Sequence, residues 1–288
     1  MVKNIPFTKM HGLGNCYIYI DLISRPLEMG TYAETAVKVA DQNTGIGADG
    51  MILILPSNKA DVFMRIFNKD GSEAKNCGNG LRCVAKYAFE HNLVKEQKFT
   101  IETLGGIVEA EIILAGQHVE RVTIDMGAPI LERKNIPMAG NPVGRPVIKE
   151  SVFLEGKGYS VTAVSMGNPH ALFFVDNIEE APIHELGPIL ADTHPLFPEG
   201  VNVGFIEVLT DNTIEYRVWE RGSGITQACG TGACAAVVAG ILENRLKKDQ
   251  NITVHLSGGD LDIIWSSDTE HVLMTGAATT ICEGTFYL

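Results

Sequence analysis

One short segment limits the folds open to this chain of 288 residues. The run 233–242 (ACAAVVAGIL) is apolar on every side, and its alanine-rich composition favours a helix. A helix that is apolar all round is buried all round, and this one is too short to span a bilayer. We therefore predict that β-strands surround it, because strand-like segments occupy much of the remaining chain.

The apolar helix follows a Cys-Gly-x-Gly motif that occurs twice. Cys77-Gly78-Asn79-Gly80 precedes a predicted helix over 81–91, and Cys229-Gly230-Thr231-Gly232 precedes the apolar helix, predicted over 233–244. Strands and a glycine-rich loop come before each motif, and strands follow each helix. This order indicates an internal duplication within an α+β fold.

A proline-rich stretch separates the two repeats and marks the predicted domain boundary. It contains Pro129, Pro137, Pro142 and Pro146. We predict an N-terminal domain over 1–128 and a C-terminal domain over 129–276. A strand-like segment over 277–288 has no helix of its own, and we expect it to return and complete the N-terminal domain.

Charge and composition exclude several classes of partner. The net charge is −12 and no basic stripe is present, which argues against nucleic acid and anionic membranes. Residues 1–7 lack a signal-peptide core, so we expect a cytoplasmic protein. In that compartment the six cysteines are not expected to form disulfides, and their spacings do not match a zinc site. No metal is predicted.

The two motif cysteines have a chemistry in common. Each precedes a helix, where unpaired N–H groups and the helix dipole lower a thiol pKa and bind anions. Two opposed thiols can remove a proton from one face of a carbon and return one to the other. If this is the α-carbon of an amino acid, the N–H groups of residues 78, 79, 230 and 231 can hold its carboxylate. A single motif is more often a turn with a buried thiol, but a matched pair favours the site.

Polar residues near the motifs are further candidates, although each has a structural alternative. An Asn can cap a turn, a buried His can be a hydrogen-bonding group of the core, and a Glu-Arg pair can be solvated. The candidates are Asn15, Asn68, Asn168, His170, Asn202, Glu220 and Arg221. The chain lacks a phosphate-binding loop and a nucleophile elbow, and no Lys is marked for pyridoxal phosphate. No cofactor is therefore expected.

Several longer motifs resemble the diaminopimelate epimerase family, and the similarity covers essentially the whole chain. They are 7–15 (FTKMHGLGN), 65–72 (RIFNKDGS), 77–80 (CGNG), 165–170 (SMGNPH), 201–202 (VN), 219–222 (WERG) and 227–232 (QACGTG). The resemblance implies two similar domains, each a β-barrel-like sheet wrapped around a central helix. It also implies a homodimer and a cofactor-independent epimerase that interconverts LL- and meso-2,6-diaminopimelate, for lysine and peptidoglycan precursor biosynthesis.

The resemblance also implies a role for each candidate residue. Cys77 and Cys229 would be the base and the acid, and would exchange roles with the direction of reaction. The other implied roles are holding the reacting carboxylate (Gly78, Asn79, Gly230, Thr231), binding the distal carboxylate (Arg221, Asn68, Asn168, Asn202), lining the pocket (Asn15), engaging the reacting ammonium (Glu220) and tuning the thiols (His170, Glu220).

One position departs from the family pattern, and two other functions remain open. Many relatives have Gln where this chain has Gly50, so we expect that substrate contact to be absent here or supplied from elsewhere. A proline racemase or hydroxyproline epimerase also pairs two cysteines, but it would leave Arg221 without an anionic partner. A non-catalytic amino-acid-binding protein would not need two thiols.

Overall fold

A computed structural model describes residues 4–75, 77–192 and 194–288. Contacts divide the chain into two units. The N-terminal unit runs to Asp125 and includes Thr275–Leu288, whereas the C-terminal unit is Met126–Met274. None of the helices in the described ranges is both long enough and apolar enough to cross a membrane.

Eighteen strands and four α-helices occupy the described residues. In chain order they are β1 (Asn4–Gly12), β2 (Asn15–Asp21), α1 (Tyr32–Ala40), β3 (Gly50–Leu55), β4 (Val62–Asn68), β5 (Glu73–Ala74), α2 (Gly78–Glu90), β6 (Lys98–Thr103), β7 (Gly106–Ala115), β8 (His118–Asp125), β9 (Val147–Leu154), β10 (Lys157–Ser165), β11 (Pro169–Phe174), α3 (Ile183–Ala191), β12 (Asn202–Thr210), β13 (Thr213–Glu220), β14 (Gly224–Ile225), α4 (Gly230–Leu242), β15 (Ile252–Leu256), β16 (Gly259–Trp265), β17 (Val272–Gly276) and β18 (Thr279–Tyr287). Short 3₁₀ turns cover Arg133–Asn135 and Ile178–Glu180.

The N-terminal unit is a mixed sheet around α2. Its strand order is β18-β1-β2-β3-β4-β6-β7-β8, parallel at β2–β3 and β4–β6 and antiparallel elsewhere. Helix α2 packs against β1, β2, β4, β7 and β8, whereas α1 packs against β2, β3 and β4. Strand β3 contacts α1, and its Ile52 also lies against Gly80 of α2. A strand covered by helices on both faces is apolar at successive positions, which explains the run Met51–Ile54 in β3.

The C-terminal unit repeats this architecture around α4. Its strand order is β9-β10-β11-β12-β13-β15-β16, parallel at β11–β12 and β13–β15. Helix α4 contacts β10 to β13, β15 and β16, and every residue from Gly232 to Gly240 is buried. The prediction that strands surround the apolar helix is confirmed, as is the α+β class with two barrel-like domains.

Matching strand registers confirm the internal duplication. Phe67 pairs with Glu73 in the β4–β5 hairpin, ten residues before Cys77. Trp219 pairs with Ile225 in the β13–β14 hairpin, ten residues before Cys229. In each unit the cysteine that follows the hairpin therefore lies at the start of the central helix.

Both central helices begin three residues earlier than predicted, because the glycines of the motifs are helical. A Cβ at Gly80 would lie 2.7 Å from Ile52 Cδ1, and one at Gly232 would lie 2.4 Å from the Tyr216 hydroxyl. These glycines serve close helix–sheet packing and do not form a loop. Strand β9 was not predicted, because the charged Lys149 and Glu150 obscure its strand pattern.

Burial of α2 leads to a stability prediction. Leu81 is fully buried, whereas Leu104 is half exposed in the turn between β6 and β7. We expect Leu81→Ala to lower the free energy of unfolding by about 2–5 kcal/mol, because it removes packed methyl groups and leaves a cavity. Leu104→Ala is the matched control, with an expected change within about 0.5 kcal/mol. Urea unfolding measures both; equal effects would contradict the enclosed position of α2.

Candidate active site

Cys77 and Cys229 are the N-cap residues of α2 and α4. Both have extended backbone angles, with φ of −153° and −117°. The Gly80 N–H donates to Cys77 Sγ at 3.4 Å, and Cys229 Sγ lies 3.5 Å from Thr231 Oγ1. The first-turn N–H groups of a helix have no acceptor within the helix, so each thiol lies beside donors able to bind an anion.

In the N-terminal unit, one side-chain amide contacts Cys77 and a second amide is bonded to the first. Asn15 Oδ1 lies 3.6 Å from Cys77 Sγ and accepts a hydrogen bond from Asn79 Nδ2 at 3.4 Å. Asn15 Nδ2 donates to Asp49 Oδ2 at 2.9 Å. Three predicted site residues, Asn15, Cys77 and Asn79, are thus in direct contact.

Asn68 ends β4, and its neighbour across the strands is Gly50. Its side-chain Nδ2 donates to Ser72 Oγ at 3.0 Å in the hairpin turn. Asn68 pairs with Gly50, where a Cβ would lie only 2.2 Å from the Phe67 carbonyl oxygen. The backbone therefore leaves no room for a Gln at position 50, which gives the departure from the family pattern a steric reason.

In the C-terminal unit, four predicted residues lie on adjoining strand ends. His170 Nε2 is 3.1 Å from Asn168 Oδ1, and His170 pairs with Asn202 in the parallel β11–β12 register. Asn202 Oδ1 accepts the Arg221 backbone N–H at 2.9 Å. The exposed Arg221 side chain donates through Nη1 to the Glu199 carbonyl oxygen at 2.6 Å.

The His170 imidazole is held neutral. The ring is fully buried, and burial, assisted by the positive charge of Arg221, lowers its pKa from 6.5 to about 3. Because Asn168 Oδ1 is an acceptor, the proton lies on Nε2 and Nδ1 presents a lone pair. That Nδ1 atom is buried and has no hydrogen-bond partner among the residues that the structure describes. His170 can therefore accept a hydrogen bond at Nδ1.

Glu220 makes the Cys229 thiol harder to ionise, whereas a hydrogen bond from Cys229 favours the ionised form of Glu220. Burial raises the pKa of the Cys229 thiol well above its ordinary value, and the charge of Glu220 raises it further. Burial also raises the pKa of Glu220, while a hydrogen bond from the Thr226 hydroxyl opposes that shift. The thiol form of Cys229 is accordingly the stable one here, and it is the form that can donate a proton.

Two residues that were not predicted from sequence contact the predicted site residues. Asp49 anchors Asn15, and Thr226 anchors Glu220. Asp49 lies in the glycine-rich segment before β3, whose sequence gives no sign of a distant amide partner. Thr226 follows β14, and only the hairpin register brings it back to Glu220. Within the described ranges, no group of three or more His, Cys, Asp or Glu side chains could hold a metal ion.

Comparisons with known proteins point to one family. The sequence model described as diaminopimelate epimerase matches residues 7–132 and 162–281. The chain is 56% identical to a diaminopimelate epimerase of Geobacillus kaustophilus over 286 residues, covering 99% of this chain and 98% of that protein. It is 58% identical over 285 residues to a diaminopimelate epimerase of Bacillus cereus strain B4264, covering 99% and 98%.

Solved structures of lower sequence identity share the fold. A Bacillus anthracis protein of the phenazine biosynthesis PhzF family has a TM-score of 0.71 at 17% identity, covering 99% of this chain and all of that one. A hydroxyproline epimerase from Agrobacterium vitis, with bound trans-4-hydroxy-L-proline, has a TM-score of 0.67 at 17% identity, covering 100% and 92%. At this identity the similarity concerns the fold alone.

The neutral state of His170 predicts a specific pH dependence of stability. Its pKa is about 3 when folded and near 6.5 when unfolded, so the unfolded chain takes up the proton first as pH falls. The stability due to neutral His170 is complete above pH ~6.5 and is lost as pH falls from there towards 3.

A His170→Gln variant isolates this contribution, because its amide can still donate to Asn168. We expect the difference in unfolding free energy, wild type minus variant, to fall by roughly 1.4 kcal/mol per pH unit below about pH 6. Urea unfolding at pH 7.5, 6.5 and 5.5 measures it. A constant difference would show that the pKa of His170 is the same in the folded and the unfolded protein.

Proposed function

Because the chain belongs to the diaminopimelate epimerase family, we propose that it interconverts LL- and meso-2,6-diaminopimelate with Cys77 and Cys229 as the two acid–base groups. The central observation is that a cysteine is the N-cap of the central helix in both repeats. A binding protein would need the donors of these helices but would have no use for a thiol at each of them.

The proposed reaction moves one proton off the α-carbon and another onto its opposite face. A thiolate takes the α-proton, and the electron pair left on carbon delocalises into the adjacent carboxylate. Backbone N–H groups at Gly78, Asn79, Gly230 and Thr231 hold that carboxylate and bind it more strongly as its charge grows. The opposite thiol then donates its proton to carbon and becomes the thiolate, so the reverse direction starts with the roles exchanged.

The environment of Cys229 supports its use as the acid in one direction. Its thiol form is favoured by burial and by Glu220, as described above. We propose that Glu220 binds the ammonium of the reacting centre, which would place a positive charge beside both groups. That charge would lower the pKa of each, so substrate binding would bring Cys229 closer to the protonation change it must undergo. Neutral His170 would accept a hydrogen bond at Nδ1 and assist in tuning the thiols.

A second charged end of the substrate distinguishes this proposal from the proline-type alternative. We propose that Arg221 pairs with the distal carboxylate and that Asn68, Asn168 and Asn202 add hydrogen bonds, while Asn15 lines the pocket. The Arg221 backbone is fixed by Asn202 and its guanidinium lies on an exposed carbonyl, so donors remain for a carboxylate. Proline has no second carboxylate to occupy them.

Lysine and peptidoglycan precursor biosynthesis follows from this activity, since meso-diaminopimelate is its product. The proposal extends to a cytoplasmic location and to a homodimer, as the family resemblance implies. Sedimentation of the purified chain at several concentrations tests the dimer. A monomer at all concentrations would remove that part of the proposal and leave the chemistry untouched.

Exchange of the α-proton tests the activity directly. We expect wild-type protein to incorporate deuterium at the α-carbon of LL-diaminopimelate in heavy water, and not at that of L-proline. Cys77→Ala and Cys229→Ala should each lower the rate of epimerisation by a factor on the order of 10²–10⁴, because each removes one acid–base group. Substrate affinity, measured by calorimetry, should change little.

Two matched controls lie on the same helices. Cys83 and Cys234 are fully buried and lie one to two turns beyond Cys77 and Cys229. Cys83→Ala and Cys234→Ala should retain most of the wild-type turnover. Normal epimerisation by either N-cap variant would refute the two-base assignment, and deuterium uptake by proline alone would favour the alternative enzyme.

Arg221→Gln tests the distal contact. Removing the guanidinium should raise the KM for diaminopimelate by about tenfold or more, since a charge-assisted pair contributes roughly 1.5–3 kcal/mol. The control is Arg217→Gln on β13, whose guanidinium pairs with Glu215. Initial-rate kinetics separate KM from kcat. An unchanged KM in Arg221→Gln would mean that the distal carboxylate is bound elsewhere.

A further inference from the structure

A buried cation lies beneath the Cys77 helix cap. Arg82 is on α2 and is fully buried. Its Nη2 donates to Asn79 Oδ1 at 2.9 Å, its Nη1 to the Gly78 carbonyl at 3.5 Å and its Nε to the Ala277 carbonyl at 3.2 Å. The guanidinium thus binds both residues that follow Cys77.

The backbone of β1 passes close to the contact between Arg82 and Asn79. A Cβ at Gly12, the last residue of β1, would lie 2.9 Å from Arg82 Nη2 and 3.2 Å from Asn79 Cβ. The glycine at this position lets β1 pass near both side chains without displacing them. Gly12 was part of the family-like segment 7–15, and its packing partner is this pair.

A hydrogen-bond chain with a fixed direction connects Arg82 to Asp49. A guanidinium only donates and a carboxylate only accepts, so the two charged ends decide which way each amide between them faces. Arg82 donates to Asn79 Oδ1, and Asn79 Nδ2 therefore faces Asn15 Oδ1. Asn15 Nδ2 donates in turn to Asp49 Oδ2, which also accepts the Cys16 N–H at 2.8 Å.

This hydrogen-bond chain determines which group of the Asn15 amide faces the Cys77 thiol. Because Asp49 requires the NH₂ group of Asn15, the oxygen of that amide is directed to the Cys77 thiol, 3.6 Å away. With the amide reversed, the thiol would face a donor and its thiolate would be favoured. The charges at the two ends of the hydrogen-bond chain and the direction of that chain therefore both act on the Cys77 sulfur atom.

We propose that Arg82 and Asp49 are positioning residues, which fix the amides of Asn79 and Asn15 from opposite ends and set the surroundings of Cys77. The inference rests on the proposed function, in which Cys77 exchanges a proton with substrate. The C-terminal repeat has no such pair, since Cys234 follows Cys229 at the interval at which Arg82 follows Cys77. The two thiols thus have different surroundings although their backbones match.

Kinetics test the positioning role. Arg82→Met should lower kcat by about tenfold or more, because a misplaced catalytic group loses rate steeply with distance, and Arg82→Lys should recover part of that loss. Arg133→Met is the matched control, because Arg133 is a buried arginine of the other unit that bonds Ala139 and Glu150. It should lose stability while retaining kcat. An equal loss of kcat in the control, or none in Arg82→Met, would overturn the role of Arg82.

Asp49 is exposed, so replacing it should disturb the fold less than replacing the buried Arg82. Asp49→Ala should change kcat without a large change in Tm, and Asp49→Asn, which keeps an acceptor oxygen, should lie between this variant and wild type. Asp61→Ala is the control, since the Asp61 carboxylate similarly accepts a backbone N–H and a side-chain donor, both from Thr100. Equal kcat values in wild type and Asp49→Ala would overturn the role of Asp49.

The rate at which iodoacetamide alkylates Cys77, followed by mass spectrometry, should change in opposite directions when Arg82 and when Asp49 is replaced. The thiolate is the nucleophile, so loss of the Arg82 charge should slow alkylation, whereas loss of Asp49 should accelerate it. The other titratable side chains shown to act on Cys77 among the described residues, Tyr17, Tyr19 and Cys83, are unchanged in both variants. Acceleration in both variants would indicate mere loosening and would overturn the proposal.

This readout needs no substrate. Failure of the proposed function would appear as wild-type protein that leaves the α-proton of diaminopimelate in place. Failure of the positioning inference would appear as unchanged or same-sign alkylation rates. The two results are therefore distinguishable in a single set of variants.

Discussion

The structure depends on a helix that is enclosed by a sheet and capped by a cysteine. The surrounding sheet buries the helix and fixes its direction, and this also fixes the position of the N–H groups in its first turn. The N-cap residue shares that place, and Cys77 and Cys229 both occupy it. In the proposed mechanism, one local arrangement thus supplies both carboxylate binding and proton transfer, and the duplicated fold contains that arrangement twice.

The duplication preserves the backbone but not the side chains around the two caps. On the C-terminal side, burial and the carboxylate of Glu220 favour a protonated Cys229. On the N-terminal side, the corresponding hairpin position is the neutral Asn68, and helix α2 itself carries the buried cation Arg82. In the proposed mechanism the two thiols exchange roles, and these differences provide a physical basis for unequal resting states.

Much of this architecture was predictable from sequence because its signals are local. The all-apolar run of α4 requires enclosure, and the repeated motif reveals the duplication. Helix starts were predicted wrongly because Gly80 and Gly232 suggest a loop, while their actual role is contact with Ile52 and Tyr216 on neighbouring strands. Asp49, Arg82 and Thr226 escaped notice for a related reason, since their partners are fixed by tertiary structure and strand register. The roles assigned to the individual site residues, and the domain bounds at 128 and 276, stay predictions.

The pairing of β18 with β1 has a consequence for how the chain folds during synthesis. β1 near the N-terminus pairs with β18, which follows the entire C-terminal unit in sequence. The ribosome therefore releases the C-terminal unit while the N-terminal sheet still has an open edge at β1. An unpaired strand edge of this kind can pair with other chains. The N-terminal unit is therefore synthesised first, but its sheet edge is the last to be covered.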